Sequence, residues 1–193
     1  MKTIKTVVAG FGVAITALGL TACTAVGGLT IVADYPDYAS VRTLAADSTS
    51  IVLGVVGAQS YSTLSGETSG SDPVVNPLAG TGSEALDVDV DALPITVFEI
   101  SVVTCVKGAC NSAPSIKVKQ LGGVVDGRAT TVEGIEPLVP GETVLLFLED
   151  YDDAPSSILG GDVGFFIERD GRFVSVDNER LKTTFDALKS LVG

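Results

Sequence analysis

The densest group of side chains able to do acid–base chemistry is a run of acids, Glu149-Asp150-Tyr151-Asp152-Asp153. Paired carboxylates can serve as general acid and base, or can hold a hard cation. Glu149, Asp150 and Asp152 are the candidates for a carboxylate-dependent hydrolase, which needs two of them about 5–9 Å apart for glycoside chemistry. A run of this kind is more often a solvated loop. The sequence therefore favours a solvated loop here, with hydrolysis of an envelope polymer as the alternative.

A second acidic motif has Asp87, Asp89 and Asp91 alternating with valines. In a strand these three carboxylates would lie on one side and could converge on Ca²⁺. The EF-hand pattern is not met, since its sixth position is Ala92 instead of glycine and its twelfth is Phe98 instead of glutamate. Charge that protects a strand edge is the commoner reason for such alternation. No metal site is predicted, and these three aspartates are the candidates if the chain binds Ca²⁺.

Histidine is absent from all 193 residues, and so is tryptophan. The lack of histidine excludes Ser-His-Asp and Cys-His catalysis and His-ligated zinc. The Ser-x-x-Lys spacing of serine–lysine acyl enzymes does not occur either. We therefore expect a non-enzymatic protein that needs no cofactor.

The first residues of the chain have the pattern of a secretory signal. Two lysines among the first five residues precede an uncharged stretch, 7–20, which leads to small residues. The stretch ends in Leu20-Thr21-Ala22-Cys23, which resembles the lipobox of bacterial lipoprotein precursors. That resemblance implies removal of residues 1–22 and lipidation of the Cys23 sulfur, which would anchor the chain at the outer face of the cell membrane.

An uncleaved transmembrane anchor is the alternative interpretation of the same stretch. No charged residue lies between Lys5 and Asp34, so an apolar span of about 20 residues exists there. Gly27-Gly28 and several threonines interrupt that span after Cys23. Both interpretations tether the domain to the outer side of a membrane.

The two remaining cysteines, Cys105 and Cys110, are expected to form a disulfide, because disulfides persist in exported proteins. Closing this six-residue loop would contribute roughly 2 kcal/mol in the chain-entropy model. Two thiols without histidine do not complete a zinc site, and the spacing is not the Cys-x-x-Cys of redox motifs.

Acidic residues outnumber basic ones by 24 to 12 in the whole chain. Removal of residues 1–22 takes away Lys2 and Lys5 and leaves 10 basic residues against 24 acidic, a net charge of −14. Such a surface repels phosphate backbones, so nucleic acid is not expected as a partner. The expected partners are the membrane, through the lipid on Cys23, and another envelope protein.

The chain pattern predicts mainly strands, with a short helix at each end. The first helix covers Tyr38 to Asp47 with Ser40 as its cap, and the last is capped by Asp177 or Asn178. Its apolar stripe is Leu181, Phe185, Leu188 and Val192. The predicted strands are rich in β-branched residues or in apolar alternation: 51–56, 94–106, 116–119, 143–148, 164–168 and 172–176, the last two joined by a hairpin turn at Asp170-Gly171.

The register of one predicted hairpin is in conflict with its disulfide. If Cys105 faced Cys110 directly, Glu99 would face Ile116, and an intended core residue would lie outside. We therefore expect a bulge between Asn111 and Ser115, which shifts the register by one residue.

The order of these elements resembles that of small bacterial envelope domains with an OB-like barrel and, more remotely, that of the netrin and metalloproteinase-inhibitor barrels. The matches are Val103 to Gly108, Gly122-Gly123 and Pro140 to Leu148, within a similarity that covers about 40–176. The resemblance implies a small barrel of about five or six strands, with closure that removes exposed edges. The resemblance does not imply inhibitor function, because that family uses a free N-terminal cysteine, whereas Cys23 is expected to be lipidated.

Three regions are expected along the chain: a signal peptide at 1–22, a tether at 23–37, and a single β-barrel domain at 38–193. The domain would carry an acidic loop, 58–92, because this stretch is rich in Ser, Gly, Asp and Pro and has little periodicity. The expected function is that of a membrane-anchored binding or structural module of the cell envelope, in which the barrel or the loop contacts an exported molecule.

Overall fold

The computed structural model describes residues 28–64 and 93–192, with only the backbone of Asn111. Cys23, the predicted signal peptide and the Ca²⁺ candidates Asp87, Asp89 and Asp91 lie outside the described residues. So does most of the predicted acidic loop.

The described residues are mainly β, with eleven strands and two α-helices. The strands are β1 (Leu29–Ile31), β2 (Ser50–Leu64), β3 (Leu93–Lys107), β4 (Ser115–Leu121), β5 (Gly123–Val125), β6 (Arg128–Val132), β7 (Thr143–Glu149), β8 (Ser156–Ile158), β9 (Phe165–Arg169), β10 (Arg172–Ser175) and β11 (Lys182–Thr183). The helices are α1 (Val41–Asp47) and α2 (Phe185–Val192), and two 3₁₀ turns cover Ala109–Ser112 and Gly161–Gly164. The expected mainly-β class with a helix near each end is confirmed, and the expected strand number was too low.

The main sheet has eight strands in the order β11-β10-β9-β7-β2-β3-β4-β8. β8 pairs both with β4 and with β7, so the middle of the sheet returns on itself in a ring-like arrangement. β9, β10 and β11 extend beyond β7 outside this ring, and a second sheet has the order β1-β6-β5. The sheet is therefore ring-like and not a clean five- or six-stranded barrel, because three strands branch from β7 and three more form a separate sheet.

β2 and β3 form the longest pair, each with 15 residues. β2 continues to Leu64, which is opposite Leu93 at the start of β3. Residues 58–64 are therefore strand, although their Ser and Gln content predicted the beginning of the acidic loop. Long-range pairing with β3 decided the structure of this exposed segment, which composition alone could not show.

The hairpin of β3 and β4 has the shifted register that the sequence required. Ile100 lies opposite Ile116, and Glu99 lies opposite Lys117 on the outer face. The 3₁₀ turn Ala109–Ser112, in place of the predicted bulge, accommodates the extra residue. Cys105 and Cys110 form the expected disulfide across this turn, with their Cα atoms 5.5 Å apart.

β7, which the sequence predicted as a strand, is buried on both faces. Val144, Leu146 and Leu148 belong to one core cluster, and Leu145 and Phe147 belong to the other. α1 and α2 cover the second cluster with Leu44 and Leu188, both fully buried. Two cores therefore lie on opposite sides of one central strand.

Each of the two α-helices has a polar side chain that caps its N-terminus. Ser40 Oγ accepts the backbone N–H of Thr43 at 3.1 Å, so the predicted cap of α1 is confirmed. The last helix begins later than predicted, with Thr184 Oγ1 accepting the N–H of Ala187 at 3.2 Å. The predicted caps Asp177 and Asn178 were wrong, because the residues after them form β11, which pairs with β10.

β1 lies within the segment that was expected to be a tether, and it pairs in parallel with β6. Neither helix in the described part of the chain is long and apolar enough to cross a bilayer.

Candidate functional site: a cavity beside a buried aspartate

A left-handed turn after β8 carries Asp162 into the interior. Gly160 and Gly161 have φ angles of +62° and +60°, a conformation that side chains with a Cβ rarely adopt. The space at Gly161 is also tight, since an added Cβ would lie 3.1 Å from the Tyr35 ring. The two glycines therefore let the chain reverse against Tyr35 and place Asp162 behind it.

Asp162 is 4% exposed, and its two carboxylate oxygens are in different environments. Oδ2 accepts the backbone N–H of Glu136 in a short hydrogen bond. Oδ1 is closed off from solvent and has no hydrogen-bond partner among the described residues. A buried carboxylate oxygen without a partner is costly, and such atoms in folded proteins call for a functional or structural explanation.

Burial raises the pKa of Asp162 to about 6. The hydrogen bond from Glu136 acts against this shift, while the negative charges of Asp177 and Glu136 add to it. The carboxyl group thus changes its charge close to neutral pH, a property typical of functional sites and also found in structural ones.

An apolar cavity of about 190 Å³, here called the Asp162 cavity, lies beside this carboxyl group. Eleven residues line it: Tyr35, Leu64, Ile95, Lys119, Gln120, Leu121, Ile135, Ser157, Ile158, Gly161 and Asp162. Most of the surface that faces the cavity is apolar, although five of the lining side chains carry a polar group. This combination is typical of small-molecule sites, in which a few polar groups fix the orientation of an apolar ligand.

Gln120 connects the wall of the cavity to the loop that holds Asp162. Its Nε2 donates to the Glu136 carbonyl at 3.1 Å, and its Oε1 accepts the N–H of Leu138 at 2.9 Å. Glu136 in turn donates its N–H to Asp162. β4 therefore fixes the position of the loop and, through it, the orientation of the carboxylate.

Lys119 and Tyr35 are the other titratable side chains on the cavity wall. Burial lowers the pKa of Lys119, and the charge of Glu149 opposes this shift. The Lys119 Nζ donates to the Pro155 carbonyl at 2.9 Å and lies 4.1 Å from the centre of the Tyr151 ring. Burial and the nearby Asp162 raise the pKa of Tyr35, so its hydroxyl remains a hydrogen-bond donor at neutral pH.

A second cavity, here called the acidic cavity, has a volume of about 300 Å³ and adjoins the same aspartate. Asp37, Glu133, Asp162 and Asp177 line it, and no lysine or arginine does. Tyr35, Ile135 and Asp162 line both cavities. The buried carboxyl group therefore lies between an apolar space and an acidic one.

A further cavity of about 250 Å³ lies between the two sheets, beside Tyr61, Phe98 and Thr130. None of its lining residues is an acid or a base. It offers volume without a charged group to orient a ligand, so Asp162 distinguishes the first cavity from it.

The acids predicted for a hydrolase lie elsewhere, at the end of β7 and on the exposed turn that follows it. Asp150 accepts hydrogen bonds from the hydroxyls of Ser50 and Ser156, the latter at 2.7 Å. Glu149 accepts one from the Tyr151 hydroxyl at 3.1 Å, and Asp152 is exposed. Within residues 28–64 and 93–192, no group of three or more acidic or cysteine side chains is arranged to hold a metal ion.

Neither Asp162 nor Tyr35 is among the site residues predicted from the sequence. The available signal was local: Gly160-Gly161 directly before an acid in an otherwise apolar stretch, Ile158 to Phe166. Paired glycines before a buried acid are typical of a tight turn that brings the backbone close to another group. Tyr35 carried no such signal, because it meets Asp162 only through the fold.

Comparison with known proteins found no relative: no family model, no curated protein and no solved structure matches this chain.

Proposed function

We propose that this chain is a lipid-anchored, non-enzymatic protein of the outer face of the cell membrane, and that it binds a small, largely apolar molecule in the Asp162 cavity. One observation carries the proposal: Asp162, whose buried Oδ1 has no hydrogen-bond partner among the described residues, lines an apolar cavity. Folded proteins rarely retain such an atom, and a ligand that donates a hydrogen bond would satisfy it.

The volume of the cavity limits the size of its ligand. At about 190 Å³ it is smaller than the roughly 300–1,000 Å³ of typical drug-sized sites. Its side chains come from the N-terminal segment, the β2–β3 pair, β4, β8 and the 3₁₀ turn at Gly161–Gly164. Because these elements are far apart in the chain, the cavity is a product of the complete fold and its ligand would stabilise that fold.

A larger side chain in place of Leu64, a partly exposed residue, is expected to block the cavity. The Leu64 side chain is 39% exposed and lines the cavity, whereas its cross-strand partner Leu93 is 41% exposed and does not. We expect a small molecule to co-purify with the native protein and to be absent from Leu64→Trp, because the indole would occupy the exposed side of the cavity. Native mass spectrometry of protein extracted from its own membranes measures the retained ligand.

Leu93→Trp is the matched control, since it adds the same side chain at a paired position with similar exposure. It should retain the ligand. Equal loss in both variants, or equal retention in both, would remove the Asp162 cavity as the binding site.

The membrane anchor is proposed from the sequence motif at Cys23. Cys23→Ser should release the chain from the membrane fraction, because a single serine hydroxyl cannot carry the thioether-linked lipid. Two acyl chains are needed for stable anchoring, since each buried CH₂ contributes only about 0.8 kcal/mol. The intact mass of the native protein gives the second measurement: an unprocessed chain with unmodified Cys23 would contradict the proposal.

We also propose that the ring-like part of the main sheet is a variant of the OB-like barrel of bacterial envelope domains. Support comes from the pairing of β8 with both β4 and β7, which brings distant strands together. Contact between the 58–92 region and another envelope protein stays a prediction that in-cell crosslinking tests.

Hydrolysis of an envelope polymer is the alternative function, and the described contacts give it no support. Glu149 ends β7, Asp150 and Asp152 follow it, and all three are exposed. Two serine hydroxyls, those of Ser50 and Ser156, occupy the carboxylate of Asp150, which suits a structural role better than that of a general acid.

A further inference from the structure

The chemistry of the proposed ligand follows from the charges around Asp162. Asp37, Glu133 and Asp177 join Asp162 on the wall of the acidic cavity. In the part of the chain that the structure describes, the only ion pair is Arg169–Glu179, so no lysine or arginine forms an ion pair with this group. Lys119 lines the Asp162 cavity, but its Nζ donates to the Pro155 carbonyl. An anion would be repelled there, and a cation would be attracted.

The buried carboxylate lacks the partner that a charged acid normally has. Asp162 accepts one backbone N–H through Oδ2, and its Oδ1 has no donor among the described residues. Ionised aspartate can accept about four hydrogen bonds, and a buried charge requires an opposite charge or several donors. The missing group is therefore a donor that also carries positive charge.

We propose that the ligand is a small primary amine whose ammonium group pairs with Asp162 and whose apolar body fills the Asp162 cavity. This inference rests on the proposed function and specifies its ligand class. The ammonium group supplies three donors and one positive charge, and the aliphatic wall, which includes Ile95 and Ile158, contacts the remainder of the molecule.

A metal ion fits the site less well than an amine. Ca²⁺ takes six to eight oxygen ligands, and the described acids include no cluster arranged for a metal. The apolar wall would also have no role in binding a bare ion.

Access to Oδ1 requires a local movement, because this atom is closed off from solvent. Tyr35 and Ile135 are half-buried and line both cavities, so the proposal requires a rotation of one of these side chains to expose Oδ1 to the ligand. Side-chain rotations of this kind are common when ligands bind.

Three probes with the same ring test the proposal on the full chain in nanodiscs: cyclohexylmethylamine, cyclohexylmethanol and cyclohexanecarboxylate at neutral pH. We expect the amine to bind at least about tenfold more tightly than the alcohol, since hydrogen bonds to a buried charge are stronger than neutral ones. The carboxylate should not bind. Amide shifts of Gly161 and Val163 in NMR titrations, with empty nanodiscs subtracted, locate the site.

Asp162→Asn should abolish the preference for the amine while the alcohol still binds, because asparagine keeps an acceptor for the Glu136 N–H but has no charge. Asp153→Asn is the matched control: it removes an exposed negative charge from a residue that lines neither cavity, and it should keep the preference. If Asp162→Asn does not fold, the comparison of the three probes on the native chain decides alone.

The possible outcomes separate the ligand class from the proposed function. Equal binding of amine and alcohol to the native chain overturns the amine and leaves the cavity as a binding site. Binding of the carboxylate, or competition by Ca²⁺ at the same amides, also overturns it. Absence of binding by all three probes at millimolar concentrations overturns the amine, and retention of a neutral native ligand would then still support the cavity.

Discussion

The native protein is expected to become less stable as the pH rises from about 4 to above 6, and the Asp162→Asn variant is expected not to show this decrease. The ordinary pKa of the aspartate side chain is 3.8, and burial raises the pKa of Asp162 to about 6 in the folded chain. Between these values the folded state holds a proton that the unfolded state has already lost. The free energy of unfolding therefore decreases as the pH rises through this window.

The size of this effect follows from the shift. Each pKa unit corresponds to 1.36 kcal/mol, so a shift of about two units costs the native protein about 3 kcal/mol at pH 7 relative to pH 3.5. The favourable contribution is complete below pH 3.8 and is lost as the pH passes through about 6. Urea unfolding of both proteins at half-unit intervals between pH 3.5 and 7.5 measures the difference, in which other titrating groups largely cancel.

Asp177→Asn is the control for this measurement, because Asp177 is exposed and its charge contributes to the raised pKa of Asp162. It should move the window slightly towards lower pH and keep most of the slope. Parallel stability curves for the native protein and Asp162→Asn would contradict the raised pKa. They would leave the geometry of the cavity unaffected.

Elements with strong local patterns were predicted correctly from the sequence. β7 has consecutive apolar residues that only a strand buried on both faces can use, and Asp170-Gly171 adopts the positive φ angles of a tight hairpin. The register of Ile100 and Ile116 followed from the need to keep isoleucine inside. In each case the physical reason for the structure lies within a single strand, turn or hairpin.

Elements that depend on distant partners were missed. Leu181 has the spacing of a helix stripe with Phe185 and Leu188, but pairing of the next two residues with β10 makes them a strand. Residues 58–64 are strand only because β3 lies beside them. Propensity is a weak prior wherever long-range pairing competes with it.

The candidate site was missed for the same reason, because no local pattern connects its parts. Tyr35 precedes α1, Lys119 lies on β4 and Asp162 lies in a 3₁₀ turn near the end of the main sheet. The acids that stood out in the sequence, at 149–153, form a dense run, which is tolerated because they are solvated. The candidate functional residue is a single acid, Asp162, which differs from these acids because the fold buries it away from water.

Substituting alanine for Gly161 is expected to cost about 2–5 kcal/mol of stability and to close the Asp162 cavity. About 1–2 kcal/mol comes from the left-handed backbone, since φ is +60°. About 1–3 kcal/mol more comes from overpacking, because the new Cβ would lie 2.9 Å from Ile135 Cδ1 and 3.1 Å from the Tyr35 ring. Tyr35 and Ile135 line the cavity, so their displacement should also weaken binding of the amine probe.

Gly171→Ala separates the two contributions, because Gly171 has a similar φ of +74° and no atom within 4 Å of its added Cβ. It should cost only the backbone share, about 1–2 kcal/mol, and leave probe binding unchanged. Denaturant unfolding and probe titration of both variants give the comparison. An equal loss of stability in both would show that Tyr35 and Ile135 move away from the methyl group without cost, which would contradict the expected overpacking contribution. A larger loss of stability in Gly161→Ala, together with weaker probe binding, would show that the close contact between this turn and Tyr35 maintains the shape of the cavity.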